Sequence, residues 1–166
     1  MRNVKLEVNL INNESFKEFG YFIDKPSVEP TIELNGVFKY YDKIAVLDMK
    51  SLSSIGMLEI YKREPTLKLL EKHENTDEML IALDADFTFI VASSDSSGEM
   101  PHSESARAFS LKKGQAVTLK TGVWHWLPFP MQSCGRLLVM IKEGTPENDV
   151  ISFDIEKEMN LQFEIV

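Results

Sequence analysis

His73, Glu78 and His125 are the side chains in this sequence whose types suit acid-base or metal chemistry near neutral pH. The chain has a single cysteine, Cys134, so it can form neither a thiolate cluster nor an internal disulfide. A divalent cation would therefore depend on imidazole and carboxylate. His73, Glu78 and His125 can supply three ligands, with water completing the shell, and Asn75 offers a weaker oxygen. The same two histidines can also stand as hydrogen-bonded pocket residues without an ion, and both readings remain open. His102 lies in the polar stretch GEMPHSES and reads as solvent-facing. Cys134, between Ser133 and Gly135, lacks the partner pattern of a nucleophile.

Charge adds a second requirement. Eighteen Lys and Arg against twenty-six Asp and Glu give a formal charge of -8, which repels phosphate backbones and anionic lipid. Nucleic acid and membrane surfaces are excluded as expected partners. In so acidic a protein, a small anionic metabolite needs a local cationic clamp, and Arg holds a carboxylate through two parallel hydrogen bonds. Lys62, Arg63 and Arg107 are the candidates, with Tyr61 as a hydroxyl donor or a core residue. Strand alternation in RAFSL puts Arg107 on the side of Phe109 and Leu111, so its stem should face the interior. Pairing with an acid such as Glu59 or Glu78 is the other reading of Arg107. Lys62 and Arg63 face opposite sides, so at most one should point inward.

These residues need a scaffold. At 166 residues and 43% hydrophobic composition, the expectation is one domain over residues 1–166, with 1–30 as an extension packed on it. Asn13 to Gly20 reads as a short helix capped by Asn13 or Ser15, with Phe16 and Phe19 on one face. KPSVEP should be an extended connection leading to the first strands. From Val37 onward, short runs rich in Val, Ile, Phe and Tyr alternate with turn residues: VFKYY, KIAVL, SIGMLEIY, TLKLLE, EMLIAL, FTFIVAS, RAFSL, AVTL and RLLVMI. VISFDI and LQFEIV extend the series. This is an all-β sandwich or barrel pattern. In FTFIVAS, Phe87, Phe89 and Val91 share one register while Ile90 makes the other face apolar, as in a strand covered on both sides. Trp124 and Trp126 should lie on the face opposite His125. Phe129 and its flanking prolines read as an edge or loop closing the mouth or meeting a second subunit. No apolar run approaches the ~20 residues of a membrane span, and MRNVKLEVNL is not a signal peptide, so a cytoplasmic location is expected.

Two stretches resemble the signature motifs of the cupin superfamily, whose fold is a double-stranded β-helix of two facing antiparallel sheets. They are His73-Glu-Asn-Thr-Asp-Glu78 before MLIAL, and Gly114-QAVTL-Lys120-Thr-Gly122-VW-His125. The second keeps both glycines and the His, with Lys120 where the superfamily prefers Pro. In the first, His73 is kept, Asn75 takes the place of a second His, and Glu78 falls slightly closer than usual. From about Leu6 to about Asn160 the chain also resembles the ureidoglycolate lyase family, through SFKEFG, the NG of ELNGVFKYYD, YKREP, LEKH with Thr76, ARAF and GVWH. It departs from that family at Tyr61-Lys62 and in the Trp-Leu-Pro after His125.

The resemblance implies an all-β cupin-type barrel with a short N-terminal helix, a homodimer, and cleavage of ureidoglycolate to glyoxylate and urea. It implies one divalent metal ion on His73, Glu78 and His125 and no nucleotide cofactor. His73, Glu78 and His125 would be catalytic, with Lys62, Arg63, Arg107 and Tyr61 binding substrate. Another cupin enzyme acting on a small carboxylate or sugar acid, and a non-catalytic metabolite-binding cupin, are the alternatives.

Overall fold

A computed structural model describes residues 1–166. Its organising element is the strand Phe87–Ala92, in which every residue is buried. Phe87, Phe89 and Val91 enter one apolar cluster and Ile90 and Ala92 another, so this strand is covered on both faces, as its two-sided apolar pattern predicts. Its sheet runs in the order Ile151–Asp154, Leu69–Lys72, Trp124–His125, Phe87–Ala92, Arg107–Leu111, Val8–Leu10, with Phe129–Pro130 also paired to Phe87–Ala92. The facing sheet has five strands: Gly20–Ile23, Ala116–Leu119, Glu78–Ala82, Cys134–Lys142 and Ser53–Tyr61.

Between the two sheets lies the larger core, which includes Phe16, Phe19, Leu80, Phe89, Phe109, Val117, Leu119 and Leu137. Truncating one of its phenylalanines to Ala should cost about 3–5 kcal/mol. The architecture is thus a two-sheet jelly-roll shell, the all-β cupin-type fold expected. The second core, around Leu70, Ile90, Trp124, Ile155 and Phe163, lies on the back of the first sheet. It is covered by the helix Ile155–Met159 and by a three-stranded sheet in which Arg2–Leu6 pairs in parallel with Leu161–Ile165 and Thr66–Leu67 pairs antiparallel.

Several local expectations need correction. Strands precede KPSVEP as well as follow it: Arg2–Leu6, Val8–Leu10 and Gly20–Ile23 all come earlier. The helix is a single turn, Asn13–Phe16, capped by Asn12, whose Oδ1 accepts from the backbone N–H groups of Glu14 and Ser15. The Ser15 hydroxyl answers by accepting from Asn12 N, which completes a capping box. Gly20 opens a strand instead of ending the helix. A Cβ there would lie 1.7 Å from the carbonyl oxygen of Thr118, so glycine is what permits this approach. KIAVL forms no strand; Lys43, its first residue, and Lys50, three residues beyond it, adopt positive φ. The hairpin Ile32–Leu34 with Phe38–Tyr40 pairs only with itself.

Candidate active site

The first sheet presents Glu71 and His125 directly opposite each other in register, on the strands Leu69–Lys72 and Trp124–His125. His73 follows Lys72, and the two-residue strand period returns its side chain to the face of Glu71. Glu78 opens a strand of the facing sheet and shares the inward register of Leu80 and Ala82. Four side chains from two sheets therefore enter one cavity of about 470 Å³, whose wall also includes Leu58, Leu80, Trp126, Leu127, Val139 and Thr145.

Each histidine has one ring nitrogen committed. His73 Nδ1 lies 2.7 Å from the carbonyl oxygen of Asp149, and His125 Nδ1 lies 2.9 Å from that of Val123. A carbonyl only accepts, so both Nδ1 atoms carry protons and both Nε2 atoms are left for the cavity. His125 Nε2 comes within 2.9 Å of Glu78 Oε2, and His73 Nε2 within 3.7 Å of the same oxygen. The 2.9 Å approach is off the ring N–H direction, and Glu78 Oε2 and His125 Nε2 are both buried with no hydrogen-bond partner.

Unpaired buried nitrogen and oxygen converging in this way are what a cation centre requires. Glu71, His73 and His125 also place one ligand atom each within 4.8 Å of one another. Two imidazoles and two carboxylates fit a divalent ion by donor type.

The two carboxyls respond to this setting in opposite directions. Burial resists ionisation of Glu78, but the positive charges of His125 and His73 outweigh it and hold its pKa below the usual carboxylate range. Burial of His125 is likewise overcome by Glu78, which raises the imidazole's pKa. Glu71, driven chiefly by burial, is pushed up despite the two nearby histidines. Such divergence separates a carboxyl that keeps its charge from one suited to carrying a proton.

Turn residues lock the approach of the two sheets. Gly122, at φ 83°, donates its N–H to the carbonyl of His73 at 2.7 Å. Asp77 accepts from Thr121 N and Oγ1 through one oxygen and from Asp48 N through the other. Asp149 accepts from the N–H groups of Glu74 and Asn75 and from the Asn75 amide. Burial works against its charge, but these donors prevail and hold its pKa down.

His73, Glu78 and His125 are thus brought together, whereas the other sequence-derived site residues lie elsewhere. Asn75 is spent on Asp149 and does not act as a second histidine substitute. The same-face partner of His73 is Glu71, which sequence reasoning missed; the signal was the two-residue spacing within LEKH, read forward from His73 instead of back. No Lys or Arg lines the cavity.

Arg107 is exposed and donates to the carbonyls of Glu104 and Ala106. It begins its strand at the rim, where a long charged side chain can turn back to backbone acceptors and water. Arg63 donates to the carbonyls of Leu127 and Pro128 and sits 4.1 Å over the Phe129 ring. Lys62 and Arg63 line a separate cavity of about 340 Å³ beside Phe129 and Met131. Tyr61 is exposed and its hydroxyl donates to Glu59. Trp124 faces the second core as expected, and Trp126 packs against that core too but also lines the cavity beside His125, because the strand ends at His125 and strict alternation ends with it. Phe129 is buried in the second core, leaving Leu127 and Pro128 to line the cavity.

The sequence profile of the ureidoglycolate lyase family matches residues 3–162. A ureidoglycolate lyase of Pseudomonas paraeruginosa is 26% identical, with 97% of this chain and 96% of that protein covered. One from Pseudomonas syringae pv. syringae is 25% identical, with 87% and 86% covered. Among solved structures, oxalate decarboxylase of Lactobacillus farciminis in a formate complex aligns with a TM-score of 0.45 and 17% identity, covering 69% of this chain and 31% of that one. Oxalate decarboxylase of Bacillus subtilis aligns with a TM-score of 0.44 and 14% identity, covering 64% and 25%. The chain therefore spans less than a third of the length of those two solved chains.

Proposed function

This chain belongs to the ureidoglycolate lyase family, and from that membership we propose that it cleaves ureidoglycolate to glyoxylate and urea. The observation that supports this reading at the level of chemistry is the convergence of Glu71, His73, Glu78 and His125 in one buried cavity. The substrate carries its hydroxyl and its ureido nitrogen on the same carbon. Cleavage moves the hydroxyl proton away, turns the C–O bond into a carbonyl, breaks the C–N bond and delivers a proton to the departing urea nitrogen. Protons balance, and no oxidant or water is consumed.

Glu71 is the group we assign to that proton. Its raised pKa brings a carboxyl closer to neutrality, where proton acceptance and donation are both effective. Because hydroxyl and nitrogen are bound to one carbon, a single carboxyl can take the proton from the first and return it to the second. His73, Glu78 and His125 are the residues that would hold a divalent ion, which when bound would polarise the substrate's hydroxyl and lower its pKa. In a cavity that has no Lys or Arg, that ion would also be the positive charge available to the substrate's carboxylate. The apolar wall of Leu58, Leu80, Leu127 and Val139 excludes water, which strengthens these charge interactions.

Release of glyoxylate from ureidoglycolate, above the uncatalysed rate, is the test. A rate equal to background for the purified, metal-supplemented protein would end the lyase reading.

The proposal includes a cytoplasmic homodimer acting on a small anionic metabolite, with residues 1–166 as one domain. The lone Cys134 supports a reducing compartment, and no helix is long and apolar enough to cross a membrane. Ile55 and Tyr61, exposed on the outer face of the five-stranded sheet, support self-association.

A further inference from the structure

Four buried side-chain atoms have no hydrogen-bond partner: Glu78 Oε2, His125 Nε2, Thr145 Oγ1 and Trp124 Nε1. Trp124 belongs to the second core, behind the sheet. The other three residues line the cavity. Glu78 and His125 form part of the charged cluster, but Thr145 does not. It is 2% exposed, and the cavity wall also carries the uncharged Pro146, Val150 and Ile141.

Its backbone is fixed. Thr145 starts a short helix after Gly144, which has φ 78°, and its carbonyl accepts from Asp149 N at 2.9 Å. The residue is thus held on the cavity wall, and no protein group there meets its hydroxyl. A buried hydroxyl without a partner is costly to maintain, which points to a ligand that completes it.

We propose that Thr145 binds the carbamoyl end of the substrate, its Oγ1 donating to the ureido carbonyl or accepting from a ureido N–H. This specificity role rests on the lyase reading above. A hydroxyl both donates and accepts, as does a neutral urea group, whereas the substrate's negative charge is better met by the cationic part of the cavity. A site built around such a bond discriminates strongly against analogues that cannot make it.

Three ligands separate the possibilities: ureidoglycolate for turnover, ureidoacetate (N-carbamoylglycine) for binding without reaction because it lacks the hydroxyl, and glyoxylate, which lacks the carbamoyl group. In Thr145→Val, the KM for ureidoglycolate and the calorimetric Kd for ureidoacetate should each rise about tenfold, the loss expected for one buried hydrogen bond. The kcat should stay within about threefold, the Kd for glyoxylate should be unchanged, and Thr145→Ser should restore the first two. Thr145→Ala gives the same readout if the Val variant folds poorly. Wild-type binding of ureidoacetate in both truncated variants, or an equal weakening for glyoxylate, would overturn the proposal. Wild-type protein that binds ureidoacetate through Thr145 yet releases no glyoxylate would remove the lyase reading and leave this one standing.

Discussion

Glu71 and Glu78 enter the same cavity from opposite sheets, and their environments drive them apart. Glu71 binds its proton more tightly in the folded chain than in the unfolded one. Stability therefore falls as pH rises from the ordinary carboxylate range, ~4.3, through the raised value. Glu71→Gln should remove that loss: its Tm should exceed the wild type's at neutral pH, the gap should close in acid, and glyoxylate release should fall by at least about a hundredfold. His125 has the same sign for the opposite reason, since its charged form is the favoured one. Its contribution is complete below ~6.5 and is lost as pH rises through its raised value, whereas that of Glu78 is complete above ~4.3 and is lost as pH falls through its lowered value. In His125→Gln the alkaline limb of the Tm profile should flatten, with turnover cut by at least about a hundredfold. The sequence made His73, Glu78 and His125 legible because imidazole is scarce and carries its chemistry openly. Glu71 was hidden among twenty-six acidic residues. The clamp residues misled because charge alone does not say which way a side chain at a strand end will turn.

Elements set the distances among these residues, and turns set the elements. Gly122 combines a positive φ with an N–H donated to His73, so Gly122→Ala should cost about 1–2 kcal/mol for the left-handed backbone. It should also reduce turnover through displacement of His125; thermal melts and glyoxylate release measured together check both. Asn12→Ala removes the acceptor for two N–H groups and should cost about 1 kcal/mol, with kcat unchanged because Asn12 is not part of the cavity wall. Most strands were visible as β-branched and aromatic runs, and the two-sided burial of Phe87–Ala92 followed from its composition. Arg2–Leu6 and Val8–Leu10 were not, because their pairing is supplied by partners about a hundred residues or more away and their own burial pattern is weak. KIAVL shows the converse error: β propensity without a sheet edge to join yields no strand.

At the scale of the whole molecule, three sheets share two cores, and the sheet that carries Glu71 and His125 belongs to both. Loss of either core should then be felt by the other, and thermal unfolding should show one transition, with tryptophan fluorescence and far-ultraviolet circular dichroism coinciding. Light scattering should report twice the mass of the chain, and Ile55→Lys should shift it towards the monomer if the outer sheet face is the contact. The parallel pairing of Arg2–Leu6 with Leu161–Ile165 has a consequence for biosynthesis. During translation the first strand emerges from the ribosome long before its partner exists, so the back of the central sheet stays uncovered until Leu161–Ile165 is made. Nascent chains of this protein should accordingly remain protease-sensitive and dependent on holding chaperones until Leu161–Ile165 has left the exit tunnel.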